Sequence, residues 1–125
     1  MKKIISTPNA PKAVGPYSQA IETNGTLYIS GQLPINPETS KFVEGGIKEQ
    51  TAQCLKNIEA ILVDAGYSFD DVVKSVVLLD SINDFAAMNE VYAEFYTSKQ
   101  PARVAFEVAK LPFGALVEIE TVAAK

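Results

Sequence analysis

Between Ile47 and Ala65 the apolar residues Ile47, Cys54, Leu55, Ile58, Ile61, Leu62 and Ala65 recur at helical spacing, so they line one face of a helix. Gly66 follows at once, the residue best suited to end a helix in the left-handed conformation. A helix that is apolar on one side must lay that side against something. Segments with the two-residue period of strands stand before and after it. Lys3 to Ser6 reads as a short edge strand. Tyr17 to Thr23 and Thr26 to Ser30 read as two strands joined by Asn24-Gly25, the strongest short hairpin signal. Gly31 to Gly46, with Pro34 and Pro37, reads as loop. Val72 to Leu79, dense in Val and Leu, predicts a strand buried on both faces. Asn83 or Asp84 can cap a second helix with Phe85, Met88, Val91, Tyr92 and Phe95 on its inner stripe. Arg103 to Ala109 and Leu116 to Val122 are two further strands around a Pro112–Gly114 turn. The order predicts an α+β fold, a sheet with both helices on one face. At 125 residues the expectation is one domain, residues 1–125.

Composition removes several functions. Apolar residues make up 47% and charged residues 21%, which suits a folded, soluble chain rather than a disordered one. Eleven Lys and Arg against fifteen Asp and Glu give a net charge of −4. That balance lacks the clustered basic charge a nucleic-acid partner needs. With no histidine and a single cysteine, one chain cannot build a His/Cys zinc site or a histidine-dependent triad. Cys54 lies on the apolar helix stripe, which points to packing. No apolar run approaches the roughly 18 residues of a membrane helix, and no signal peptide is read at the start, so cytoplasm is the expected location.

Alternation along the strands sorts the remaining candidates. Leu27 and Ile29 share a face, as do Val117 and Ile119, and Val104, Phe106 and Val108; these purely apolar sets should meet the helices. The opposite face then carries Ser30, Arg103, Ala105, Glu107, Glu118 and Glu120 among aliphatic neighbours. So apolar a face is expected to be covered by further copies of the chain. Arg103 can hold a carboxylate through two parallel hydrogen bonds, or serve as the structural partner of Glu118 or Glu107. Glu118 can order a water or take its proton, with Glu120 as competitor. Ser30 precedes Gly31 at a strand end and reads as a hydrogen-bond donor. Tyr17 offers a phenol after the rigid Gly15-Pro16 turn.

Together these segments resemble the reactive intermediate deaminase family, RidA or YjgF. The resemblance rests on Ala10-Pro11, Gly15-Pro16-Tyr17-Ser18-Gln19, Ser30-Gly31-Gln32-Leu33-Pro34, Asn83-Asp84-Phe85, Asn89-Glu90-Val91-Tyr92, Pro101-Ala102-Arg103, and Glu107 to Pro112 leading to Val117-Glu118-Ile119-Glu120. It implies a chorismate-mutase-like mixed sheet with two helices on one face, and a trimeric, barrel-like assembly with ligand sites between subunits. It implies hydrolysis of 2-imino acids such as 2-iminobutanoate and 2-iminopropanoate to 2-keto acids and ammonia, with no metal or organic cofactor, no nucleic acid and no membrane. By motif position Arg103 is the carboxylate clamp and Glu118 the water-positioning glutamate. Tyr17, Ser30, Gly31, Phe85 and Asn89 line the pocket. Ala105 stands where many members have cysteine. One rival reading uses the same Arg103 pocket: a binding protein that holds keto or imino acids without turnover. Another is a ribonuclease, against which the acidic balance and the absence of histidine argue.

Overall fold

The computed structural model describes residues 1–125. Its elements in chain order are β1 (Lys3–Ile5), β2 (Ala20–Thr23), β3 (Thr26–Gln32), β4 (Ile35–Asn36), β5 (Lys41–Phe42), α1 (Ile47–Ala65), β6 (Val72–Leu79), α2 (Phe85–Phe95), β7 (Ala102–Glu107) and β8 (Val117–Ala124). Six strands form one sheet in the order β1-β2-β3-β8-β6-β7, and β4 pairs with β5 in a separate ribbon. Every pairing is antiparallel except β6 with β7. Parallel neighbours need a long crossover, and α2 lies in that connection. The sheet is therefore mixed, with the helices on one face.

The α1 stripe behaves as its spacing predicts. Cys54, Leu55, Ile58, Ile61 and Leu62 are buried in one core with Leu27, Ile29, Val77, Leu79, Val117 and Ile119 of the sheet. Burial of each such aliphatic side chain contributes roughly 1.5–3 kcal/mol. Gly66 closes α1 at φ +84°, a backbone conformation that a side chain would strain. The Cys54 thiol has no exposure and burial raises its pKa, so it packs rather than reacts.

Several expectations need correction. The loop after Gly31 contains the β4–β5 ribbon. β2 starts only at Ala20, because Tyr17 turns back onto Gly15 (Tyr17 N donates to Gly15 O, 2.8 Å) and Gln19 is drawn inward. Neither Asn83 nor Asp84 caps α2 through its side chain: the chain enters through a single tight turn over Ile82–Asp84. The hydroxyl of Ser81 accepts from Asn83 N there at 3.2 Å. β6 is covered on one face only: Ser75, Val77 and Leu79 point to the helices, while Val76 and Leu78 point to a face that the chain leaves open.

The largest correction concerns β7. Val104 and Phe106 lie on the open face, 43% and 46% exposed, and Arg103 and Ala105 lie on the helix face. The phase of an edge strand follows its single neighbour. Arg103 is paired with Ser75 and Ala105 with Val77, both inward residues of β6. Hydrophobicity alone pointed the other way, because the rings of α2 cover the arginine and make the inward position acceptable to a cation.

Candidate functional site

Arg103 stands on the outermost strand beneath α2. Phe85, Asn89 and Tyr92 lie four and three residues apart, so α2 presents all of them along one stripe. Nη1 of Arg103 donates to Asn89 Oδ1 at 2.7 Å. The guanidinium carbon lies 4.7 Å from the Tyr92 ring centroid and 5.5 Å from that of Phe85. No carboxylate pairs with it. The ion pair in the chain is Lys48–Glu90 at 2.7 Å, and Glu107 instead accepts from Ile82 N at 2.9 Å. A guanidinium has five N–H donors, and Asn89 uses one. The group opens onto a cleft of about 520 Å³ bounded by Asn89, Tyr92, Ala93, Tyr96, Gln100 and Pro101. A half-buried cation with unspent donors in a planar fork is suited to a small carboxylate.

Glu118 occupies the other side of the sheet. It is paired with Leu78 of β6 on the open face, in line with Phe106. Its carboxylate lies over Gly31, where the β3–β8 register shifts. A Cβ at Gly31 would come within 2.7 Å of Oε2, so only glycine leaves that carboxylate its place. Glu118 is half-buried and has no hydrogen-bond partner in the chain; burial first, and the charge of Glu120 second, raise its pKa. Ser30 lies beside Gly31, but its hydroxyl donates to Ser18 O at 2.6 Å. It is a donor, as its sequence suggests, but to the backbone, so toward the open face it offers lone pairs.

Tyr17 is 54% exposed and borders a small cavity of about 90 Å³ with Val14, Gly31 and Phe113. It also borders a hollow of about 380 Å³ with Ser30, Tyr28 and Glu120. Buried amides fix these loops. Gln19 accepts from Thr7 N at 2.8 Å and donates to Thr7 O at 3.0 Å and Pro11 O at 2.8 Å. Asn57 Nδ2 donates to Leu33 O at 3.2 Å and Ile35 O at 2.9 Å. A further hollow of about 280 Å³ between Thr7 and Asp64 is lined by solvated Lys56 and Glu59 and lies apart from both groups.

Residues 7–125 match the model of the endoribonuclease L-PSP family. The chain belongs to this family, known also as RidA or YjgF. It is 57% identical over 125 residues to a RutC family protein of Pyrococcus horikoshii, covering 100% of this chain and 99% of that one. It is 49% identical over 123 residues to the human 2-iminobutanoate/2-iminopropanoate deaminase, covering 98% and 90%. Among solved structures it resembles E. coli TdcF with bound serine, with TM-score 0.94, 38% identity and 98% of each chain covered. No helix of this RidA-family chain is long and apolar enough to cross a membrane.

The RidA motif residues thus divide into two sets. Phe85, Asn89, Arg103 and Ala105 gather at the β7 edge under α2. Tyr17, Ser30, Gly31 and Glu118 gather around the open face. The expectation that Arg103 and Glu118 share a face fails within one chain, for the register reason given above. The sequence puts Tyr92 on the inner stripe of α2 and in the Asn89–Tyr92 motif without a pocket role; the Phe85-Asn89-Tyr92 spacing is the signal that it belongs with the arginine. Gln19 and Asn57 gave no such signal, because their partners are backbone carbonyls distant in sequence.

Proposed function

We propose that this RidA-family chain, folded as a single domain and assembled as a homotrimer, hydrolyses 2-imino acids such as 2-iminobutanoate and 2-iminopropanoate to 2-keto acids and ammonia. The observation that carries the reading is the unpaired guanidinium of Arg103 at a cleft. The deaminase names of relatives near 50% identity support it, as does the amino acid bound by E. coli TdcF.

Arg103 grips the substrate carboxylate through parallel N–H···O bonds. This holds the adjacent C=N carbon at a fixed place, and fixed placement alone can supply much of a rate gain. Protonation of the imine nitrogen makes that carbon electrophilic. Glu118, as carboxylate, accepts a proton from water while the water oxygen bonds to carbon. Glu118 returns that proton to nitrogen, the C–N bond breaks as the carbinol O–H gives its own proton to the Glu118 carboxylate and becomes the keto oxygen, and the departing ammonia carries that proton away as ammonium. Water is the only co-reactant. The carboxylate that performs this step on Arg103's ligand belongs to a neighbouring copy, whose open sheet face brings Glu118, Gly31 and Tyr17 to the cleft. The half-buried Leu78 and Val122 and the exposed Tyr28, Val104 and Phe106 make that face suited to coverage. The net charge of −4 argues against an endoribonuclease activity.

The test is release of 2-ketobutanoate from threonine dehydratase output with a trapping amine present. The wild-type chain accelerates release, and Arg103→Ala lowers kcat/KM by roughly 10²–10³, the loss of two charge-assisted hydrogen bonds. Equal acceleration by Arg103→Ala overturns the reading. Tight binding of 2-ketobutanoate with no acceleration by the wild-type chain would mark a binding protein instead.

A further inference from the structure

We infer that Tyr92 is a positioning residue for Arg103: its ring holds the guanidinium plane so that the donors left free by Asn89 face the cleft. This rests on the reading of Arg103 as the carboxylate clamp, and it adds a residue and a mechanism to that reading. A long arginine side chain on an edge strand, with no carboxylate partner, has no electrostatic reason to keep one orientation. Here it is held in two ways. Asn89 fixes Nη1. The Tyr92 ring, nearer than that of Phe85, lies under the cation.

The ring is itself immobilised. Tyr92 is 6% exposed and stacks on Tyr96 at 4.5 Å and 27°, and Tyr96 meets Phe69 edge to face at 4.9 Å. The Tyr92 hydroxyl is buried toward Ser75, the cross-strand partner of Arg103, and neither hydroxyl forms a well-shaped hydrogen bond. A phenol that is buried without a good partner is a poor source of stability. The ring face remains as what the position supplies, and a ring face is what a cation requires.

Arg103 is the sole arginine of the chain, so ¹⁵N-arginine labelling gives one Nε–H signal that reports its order without any ligand. That signal is expected to be rigid and ring-shifted in wild type and in Tyr92→Phe, and mobile and unshifted in Tyr92→Leu. In the full-length assembly, Tyr92→Leu weakens 2-ketobutanoate binding about tenfold and raises KM to match, with kcat within about twofold; Tyr92→Phe restores both. In an Arg103→Ala background Tyr92→Leu has no further effect on binding. Should Tyr92→Leu fail to fold, pentafluorophenylalanine at position 92 keeps the ring and reverses its quadrupole, and the same loss is expected.

An unchanged Nε signal in Tyr92→Leu or the fluorinated variant overturns the inference. So does a loss of binding that adds fully to that of Arg103→Ala, or a Tyr92→Phe variant that fails with Tyr92→Leu. Arg103→Ala with unaltered ketobutanoate binding overturns the clamp itself, whatever the signal shows.

Discussion

The β7 edge and the open face of the sheet are opposites in charge and in construction. At the edge a cation stands among aromatic rings, anchored by one amide and free of any acid. On the open face a carboxylate stands over a glycine among aliphatics, with no cation paired to it. Each side has the group that the other lacks. A protein usually pairs half-buried charges, since leaving them alone is unfavourable. Both stay unpaired on opposite faces of one sheet, and the proposed function gives each a partner from outside the single chain: a small acid at the arginine, and a second copy to bring the glutamate.

Glu118→Gln probes the acidic side with the largest effect. Its shape is kept and its charge is lost, so kcat is expected to fall about 10²-fold while KM changes little. A fall in ketobutanoate binding with intact kcat would place Glu118 in the clamp and blur the contrast between the two sides. The wild-type pH profile carries the same information. In the proposed mechanism Glu118 acts as carboxylate, so kcat/KM is expected to rise with pH through its raised pKa, above the ordinary value of 4.5, and Glu118→Gln to lack that acid limb. The sign for stability is the reverse. The native state holds this proton more tightly than the unfolded chain, so stability declines as pH rises through the same window.

Gly31→Ala comes next. The new Cβ lies 2.7 Å from Glu118 Oε2, so the carboxylate must move. Displacement of a positioned group lowers kcat roughly tenfold or more, and ligand binding at Arg103 is unaffected when assayed by calorimetry with 2-ketobutanoate. The smallest effect belongs to Glu120→Gln. Removing this like charge moves the acid limb downward, but burial, the larger cause, keeps it above the ordinary value. Loss of turnover in Glu120→Gln to the level of Glu118→Gln would show the two acids acting as one.

Much of this was legible in the sequence where the signal is local. The α1 stripe with Gly66, the Asn24-Gly25 hairpin and the order of elements follow from period and turn chemistry. The motif residues were legible too, since resemblance assigns them by position. The facing of β7 was not. Val104 and Phe106 are more hydrophobic than Arg103 and Ala105, and nothing within residues 102–107 states that β6 sets the phase or that Phe85 and Tyr92 will cover a guanidinium. The partner of Ser30 was not legible for a similar reason: its hydroxyl donates to Ser18 O, a backbone carbonyl that carries no side-chain signature. Register and backbone partners are properties of the assembled sheet, and a strand read alone does not contain them.

The decisive measurement mixes two inactive chains. Arg103→Ala and Glu118→Gln are co-expressed with different tags, the mixed assemblies are isolated, and imine hydrolysis per site is compared with wild type. In a mixed closed ring of three copies, a site that takes its arginine from one copy and its glutamate from the next is intact at about one junction in three. Recovery to about that fraction is the predicted result. Mixed assemblies as inactive as either parent would contradict the account, because they would show that both groups must come from one chain.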